Sequence, residues 1–210
     1  MEELIKQIES LKLHLIRNVI DLRMKEFSEL GKKNSNELFK ELCFCFMTAN
    51  FSARGGIKIQ NAVADGFLHL SEEELAKKLQ ELGHRFPNAR AKFVILARPH
   101  KDNLKETLQN LKDEIKMREW IAENIKGIGM KEASHFLRNI GYKNLAIIDF
   151  HIIDLLAKHN LIEKPKNKSL SSKKYVEIEN VLKKISEKTN LSLGELDLYL
   201  WFLETGKVSK

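Results

Sequence analysis

The sequence predicts an all-α protein. Three observations lead there. Apolar residues recur at three- and four-residue steps along most of the chain. Helix-start signatures such as Ser71-Glu72-Glu73-Glu74 precede those runs. Val94-Ile95-Leu96, which alone would pass for a strand, has no partner strand in the sequence.

Leu4, Ile8, Leu11, Leu15, Val19 and Leu22 predict one apolar stripe on a single long first helix. The polar break Gly31–Asn36 ends it, and Ser35 or Asn36 caps the next helix, which carries Leu38, Leu42 and Phe46. Asn50 to Gly56 reads as a loop in which Gly55-Gly56 supply backbone freedom. Another loop runs from Gly83 to Asn88. Helices through Phe93–Leu96 and Leu104–Ile115 follow. The Lys- and Ser-rich stretch Leu161–Lys174 reads as a surface connection. A last helix starts at Ser192 or Leu191, with Leu193, Leu196, Leu200 and Leu203 on one face, and ends at Gly206.

Composition narrows the function classes. The chain has 210 residues, enough for one or two domains, and 43% apolar residues exclude disorder. Lys plus Arg number 36 against 29 Asp plus Glu, a formal charge of +7 that favours a polyanionic partner, most simply nucleic acid. Two cysteines, Cys43 and Cys45, exclude a disulfide framework, a zinc ribbon and a four-cysteine iron–sulfur cluster. The start is no signal peptide and no apolar run approaches the roughly 20 residues that span a bilayer, so the cytosol is expected. Charged residues at 31% suggest a heat-adapted source.

The most informative segment is Ile125 to Ile140. One helix ends at Gly127 and another starts just past Gly129, so Gly-x-Gly turns the backbone tightly and bares amides at a helix N-terminus, where a phosphate oxygen fits. Ala133, Phe136, Leu137 and Ile140 form the core-facing stripe of the second helix. This is a helix–hairpin–helix pattern, a sequence-nonspecific grip on a DNA backbone. Lys131 lies in the first turn, away from that stripe. The positive end of a helix disfavours its ammonium, and the free amine is a nucleophile able to form a Schiff base. Eighteen residues later an apolar run reaches Asp149 and another apolar helix, Phe150-His151-Ile152-Ile153, follows. Asp149 is placed to cap that helix, which also holds a carboxylate ionised and fixed. The spacing leaves room for one helix and a return loop to bring Lys131 and Asp149 together.

Gly127-Ile128-Gly129-Met130-Lys131 followed by Ile148-Asp149-Phe150-His151 resembles the lysine-bearing helix–hairpin–helix DNA glycosylase superfamily. The chain is most similar to its compact type-2 branch of 8-oxoguanine DNA glycosylase/AP lyases. The short length, the lack of an N-terminal sheet domain and of cluster cysteines, and the tail Leu196-Asp197-Leu198-Tyr199-Leu200-Trp201 with Thr205-Gly206-Lys207 point to that branch. The resemblance runs from about Glu37 onward. Lys126 departs from it, standing where many relatives have proline.

The resemblance implies two helical subdomains with the active site in the cleft between them. Approximately 30–125 and 126–160 would form the central subdomain and hairpin, and 1–29 with 161–210 the second, in one glycosylase unit. It identifies Lys131 as nucleophile at C1′ and Asp149 as its catalytic partner, acting on flipped-out 8-oxoguanine, with strand nicking by β-elimination through a Schiff base. Asn50 fills the gap left by the flipped base and Arg54 contacts the orphaned one; a polar loop with an incidental arginine is the alternative. Arg85 and Phe86 lie in a second minor-groove loop, His84 to Arg90. Trp201 stacks on the base and Asp197, four residues earlier, accepts from its N–H edge, with core packing the alternative for Trp201. His135 borders the pocket or is a surface histidine. The expected partner is double-stranded DNA containing oxidised guanine, with the protein a monomer. The chemistry requires no metal or cofactor; a monovalent cation on hairpin carbonyls would be structural. Another base specificity, and a non-catalytic DNA-binding hairpin protein, are the alternatives. The latter needs neither Lys131 nor Asp149.

Overall fold

The computed structural model describes residues 1–167, 170–208 and 210. Its helices are α1 (Glu2–Lys12), α2 (Ile16–Gly31), α3 (Ser35–Thr48), α4 (Ala53–Val63), α5 (Gly66–His69), α6 (Glu72–Glu81) and α7 (Pro87–Ala97). A 3₁₀ turn (Arg98–His100) leads to α8 (Leu104–Leu111), α9 (Glu114–Asn124), α10 (Met130–Asn139), α11 (Phe150–Lys158), α12 (Ser172–Thr189) and α13 (Leu193–Thr205). Among the described residues there is no strand, and Val94-Ile95-Leu96 lies inside α7.

Several starts are as expected. Ser71 and Glu74 form the reciprocal capping box of α6, Ser192 caps α13, and Gly206 closes it with left-handed backbone. The first helix differs. The chain turns at Leu13–Leu15 and α2 buries Ile20, Met24 and Phe27 instead, leaving Leu13 92% and Leu15 76% exposed. Periodicity reports a repeating face, and two apolar faces overlap in α2; only packing decides which is buried. Asn34, not Ser35 or Asn36, caps α3 through the Glu37 amide.

The expected loop Asn50–Gly56 ends early, because Ser52 caps α4 and both glycines are helical. A Cβ at Gly56 would stand 2.7 Å from Thr48 Cγ2, so this glycine serves close packing of α4 on α3. Pro87 likewise opens α7 and shortens the second loop. Lys112, in left-handed backbone, splits the predicted helix Leu104–Ile115 into α8 and α9, and Asp113 caps the latter. The Leu161–Lys174 connection stops where α12 begins at Ser172; its residues 168 and 169 lie outside the described residues. Helix α12 itself is not among the elements expected from the sequence.

Two apolar cores form. The first surrounds α3, buried on nearly every side, with residues from α4 to α10. Cys43 and Cys45 sit in it as free thiols that burial pushes well up, so they are inert. The second joins α1, α2, α11, α12 and α13. The chain passes from one core to the other at Leu145-Ala146, in a buried non-helical segment that runs on to Asp149.

Candidate active site

The hairpin follows from local sterics. Helix α9 stops at Ile125, whose backbone is extended. Gly127 has φ +94°, and a Cβ there would overlap the Phe93 ring at 2.6 Å, so glycine is required twice over. Gly129 takes the N-cap position of α10 and has no side chain to satisfy the first-turn amides. Among the described residues only Glu132 Oε2, at 3.6 Å, would neighbour a Cβ at Gly129. Those amides therefore lie beside open space, as an anion site needs. Ala133, Phe136, Leu137 and Ile140 are buried, as their spacing predicts.

Lys131 projects from the first turn of α10 away from that stripe, partly exposed, with Nζ 3.7 Å from Glu132 Oε1. Asp149 caps α11, its Oδ1 accepting from the Ile152 amide at 2.9 Å. The fold brings both within electrostatic reach of Asp197 on α13. Burial pushes the Asp197 carboxyl up to about 6; the Arg138 guanidinium opposes this, Asp149 adds to it, and Lys131 opposes it. An amine and two carboxyls from three helices are thus close enough to feel one another, Asp197 mostly buried and Lys131 and Asp149 partly exposed. That can hold an amine beside a fixed proton acceptor.

Around it lies an aromatic row. Phe150, 67% exposed, is 4.3 Å from the His151 ring, and His151 meets Trp201 edge-on at 4.9 Å. Trp201 is half-buried and its Nε1–H, though buried, has no acceptor among the described residues. His135 is not a surface residue. It is buried edge-on to Phe44, and burial, then Arg138 and Lys131, hold its imidazole well below the ordinary range and neutral.

Asn50 and Arg54 are exposed, Asn50 in left-handed backbone between α3 and α4; Arg85 and Phe86 are exposed before α7. The two loops are joined underneath. His84 Nδ1 accepts from the Phe86 amide at 3.0 Å, so Nε2 carries the proton and donates to the Met47 carbonyl at 3.1 Å. Its ring packs on Phe51 at 4.7 Å, and Arg90 donates to the Ala49 carbonyl. Arg90, part of the predicted DNA-facing loop, is therefore an internal strut in α7. Arg85 stacks over Phe86 at 5.1 Å.

Sequence reasoning missed the polar chain beneath the site. Asp197 pairs with Arg138 at 2.9 Å, Arg138 donates to Asn139, Asn139 to Glu41, and Glu41 receives Lys210 Nζ. Lys210 also lies over the Phe44 ring. The available signal was Glu41 as the lone carboxylate in the run Leu38–Thr48. Among the described residues no group of three or more His, Cys, Asp or Glu side chains could hold a metal ion, and no helix is long and apolar enough to cross a membrane.

A Gly-x-Gly hairpin delivering an amine from its second helix, with a capping carboxylate carried toward the same place, is the arrangement of a helix–hairpin–helix DNA glycosylase. The family described as 8-oxoguanine DNA glycosylase matches residues 20–191, and the chain belongs to that family. It is 51% identical to the 8-oxoguanine DNA glycosylase/AP lyase of Korarchaeum cryptofilum, over 100% of this chain and 99% of the relative. The crystal structure of the Methanocaldococcus jannaschii 8-oxoguanine glycosylase/lyase, in complex with a 15mer DNA containing 8-oxoguanine, is 53% identical. It superposes with a TM-score of 0.96, covering 99% of this chain and 100% of that one. The Thermotoga maritima 8-oxoguanine DNA glycosylase gives 45% identity and a TM-score of 0.93, with both chains fully covered.

Proposed function

We propose that this protein excises 8-oxoguanine from duplex DNA and then cleaves the abasic strand, as a bifunctional glycosylase and AP lyase. The observation that carries the reading is the convergence of Lys131 and Asp149 on Asp197 beside the hairpin. The target base leaves the stack, because its glycosidic bond is inaccessible inside the duplex. The Lys131 amine attacks C1′, and the C1′–N9 bond breaks with its electron pair leaving on the base. Asp149 stabilises positive charge developing on the sugar and takes the proton that Lys131 releases. Opening of the sugar yields a Schiff base, and loss of the C2′ proton expels the 3′ phosphate.

The amides around Gly127 and Gly129 grip phosphate, a role supported by the uncapped first turn of α10. Asn50 and Arg54 occupy the vacated base position, with Arg85 and Phe86 in the groove beside them. Trp201, with its free indole N–H, Asp197 and buried His135 border the base pocket. The protein acts as a monomer in the cytoplasm, built as two helical subdomains about the cleft.

The test is borohydride trapping on duplexes carrying 8-oxoguanine, other lesions or normal bases. Wild-type protein should be trapped on the 8-oxoguanine strand, and Lys131→Gln should retain binding while losing all trapping. Normal trapping by Lys131→Gln would move the nucleophile to another amine. Equal cleavage across the panel would remove the base assignment.

A further inference from the structure

The buried segment that delivers Asp149 is held by side chains of α12. Tyr175 on α12 donates its hydroxyl to the Ala146 carbonyl at 2.7 Å and accepts from the Ile148 amide at 3.2 Å. Its oxygen also lies 3.5 Å from Ser134 Oγ, one turn after Lys131 on α10. One turn along α12, Glu179 accepts the Ala146 amide at 2.9 Å and a bidentate pair from Arg118 of α9, at 2.6 and 3.0 Å. The Arg118 guanidinium covers the Tyr175 ring at 5.5 Å. All of these side chains are buried.

Helix α12 thus acts as a splint between both hairpin helices and the non-helical approach to Asp149. A buried non-helical segment with no ladder partner has nothing of its own to fix its position, so its backbone groups must find side chains. We propose that Tyr175, set by Glu179 and Arg118, is a positioning residue of the reaction. Its hydroxyl references the segment carrying Asp149 to the helix carrying Lys131, and so fixes the spacing of nucleophile and proton acceptor. Burial holds the phenol protonated well above its ordinary range, so it remains a donor throughout the working pH.

The inference rests on the assignment of Lys131 and Asp149 above, and its test separates the two. Tyr175→Phe keeps the ring under Arg118 and removes only the hydroxyl. Glu179→Asp keeps the charge opposite Arg118 but shortens its reach to the Ala146 amide. Single-turnover trapping is measured on an 8-oxoguanine duplex and on a preformed abasic duplex, with burst amplitude counting the folded fraction. Affinity is measured on a duplex carrying a tetrahydrofuran abasic analogue.

The expected result for each variant is a rate per folded molecule lower by about 10- to 100-fold, the scale of a misplaced reacting group, with affinity within about twofold of wild type. A merely structural tyrosine would lower the amplitude and leave the rate alone, and that result overturns the proposal. If Tyr175→Phe does not fold, Glu179→Asp decides on the same criterion. Wild-type protein that is trapped on the abasic duplex and not on the 8-oxoguanine duplex would sink the base assignment. The abasic comparison would then still decide the role of Tyr175.

Discussion

Arg138 and Asp197 form an ion pair at 2.9 Å that ties α10 to α13 directly behind the Lys131–Asp149 locality. The guanidinium is almost fully buried, and it also covers the Phe27 ring at 4.7 Å. Removing one partner of such a pair leaves the other charge uncompensated. Arg138→Met, which leaves the Asp197 carboxylate without its cation, should therefore destabilise the fold by about 3–5 kcal/mol, read by thermal or denaturant unfolding. An Arg138→Met variant as stable as wild type would show that solvent already screens this pair.

The same carboxyl sets a pH dependence. An unfolded aspartate titrates near about 3.9, and burial raises Asp197 to about 6 in the fold. Between those values the folded state holds the extra proton. Its contribution to stability is complete below about 3.9 and is lost as pH rises through about 6. His135 acts oppositely. Its folded value is depressed, so stability is lost as pH falls below about 6.5, where the unfolded histidine takes up its proton. Side-chain NMR should show an aspartate carboxyl titrating near 6 that disappears in Asp197→Asn, and a His135 midpoint displaced well below that of a free histidine. A His135 midpoint near 6.5 would contradict its burial.

Asp149→Asn should leave α11 capped, because asparagine caps about as well as aspartate. Unfolding stability should stay within about 0.5 kcal/mol of wild type by that cap ranking, while most of the single-turnover rate is lost and DNA affinity is kept. A large fall in stability with an unchanged rate would make the residue a cap alone.

Gly127→Ala places a Cβ at positive φ and into the Phe93 ring. The backbone conformation alone costs about 1–2 kcal/mol, and the ring overlap adds to it. The variant should melt earlier and bind all duplexes more weakly, damaged or not, because the hairpin amides read phosphate and not base. Selective loss for damaged duplexes would place this turn in base recognition.

Trp201→Phe should fold with little change in stability, since among the described residues the indole N–H has no acceptor to lose. Trp201→Ala should lose about 1–3 kcal/mol of base stacking and with it discrimination between 8-oxoguanine and guanine. Competition binding with the two bases reads this. Unchanged selectivity in folded Trp201→Ala would assign the indole to packing against His151.

Much was legible along the chain because the signals were local. The capping box at Ser71, the helix start at Ser192, the Gly206 stop, the hairpin glycines and the buried face of α10 each depend on residues within two turns of one another. The same holds for Asp149, whose cap partner is three residues away. From those residues came the all-α class, the lysine on the open face of its helix and the aspartate at the head of another.

Only the tertiary structure decided which apolar face of α2 is buried, since both Leu15–Val19–Leu22 and Ile20–Met24–Phe27 have helical spacing and only one meets a core. It also decided that Asp197 lies against Arg138, 59 residues away, and that Arg90 is a strut where a DNA contact was expected. Tyr175 and Glu179 carry no local mark, because their partners at Ala146, Ile148 and Arg118 stand tens of residues off. The reason is physical. Caps, turns and stripes are settled by backbone geometry within a few residues, whereas burial, ion pairing and the perturbed carboxyl of Asp197 exist only where distant segments close around a side chain and exclude water.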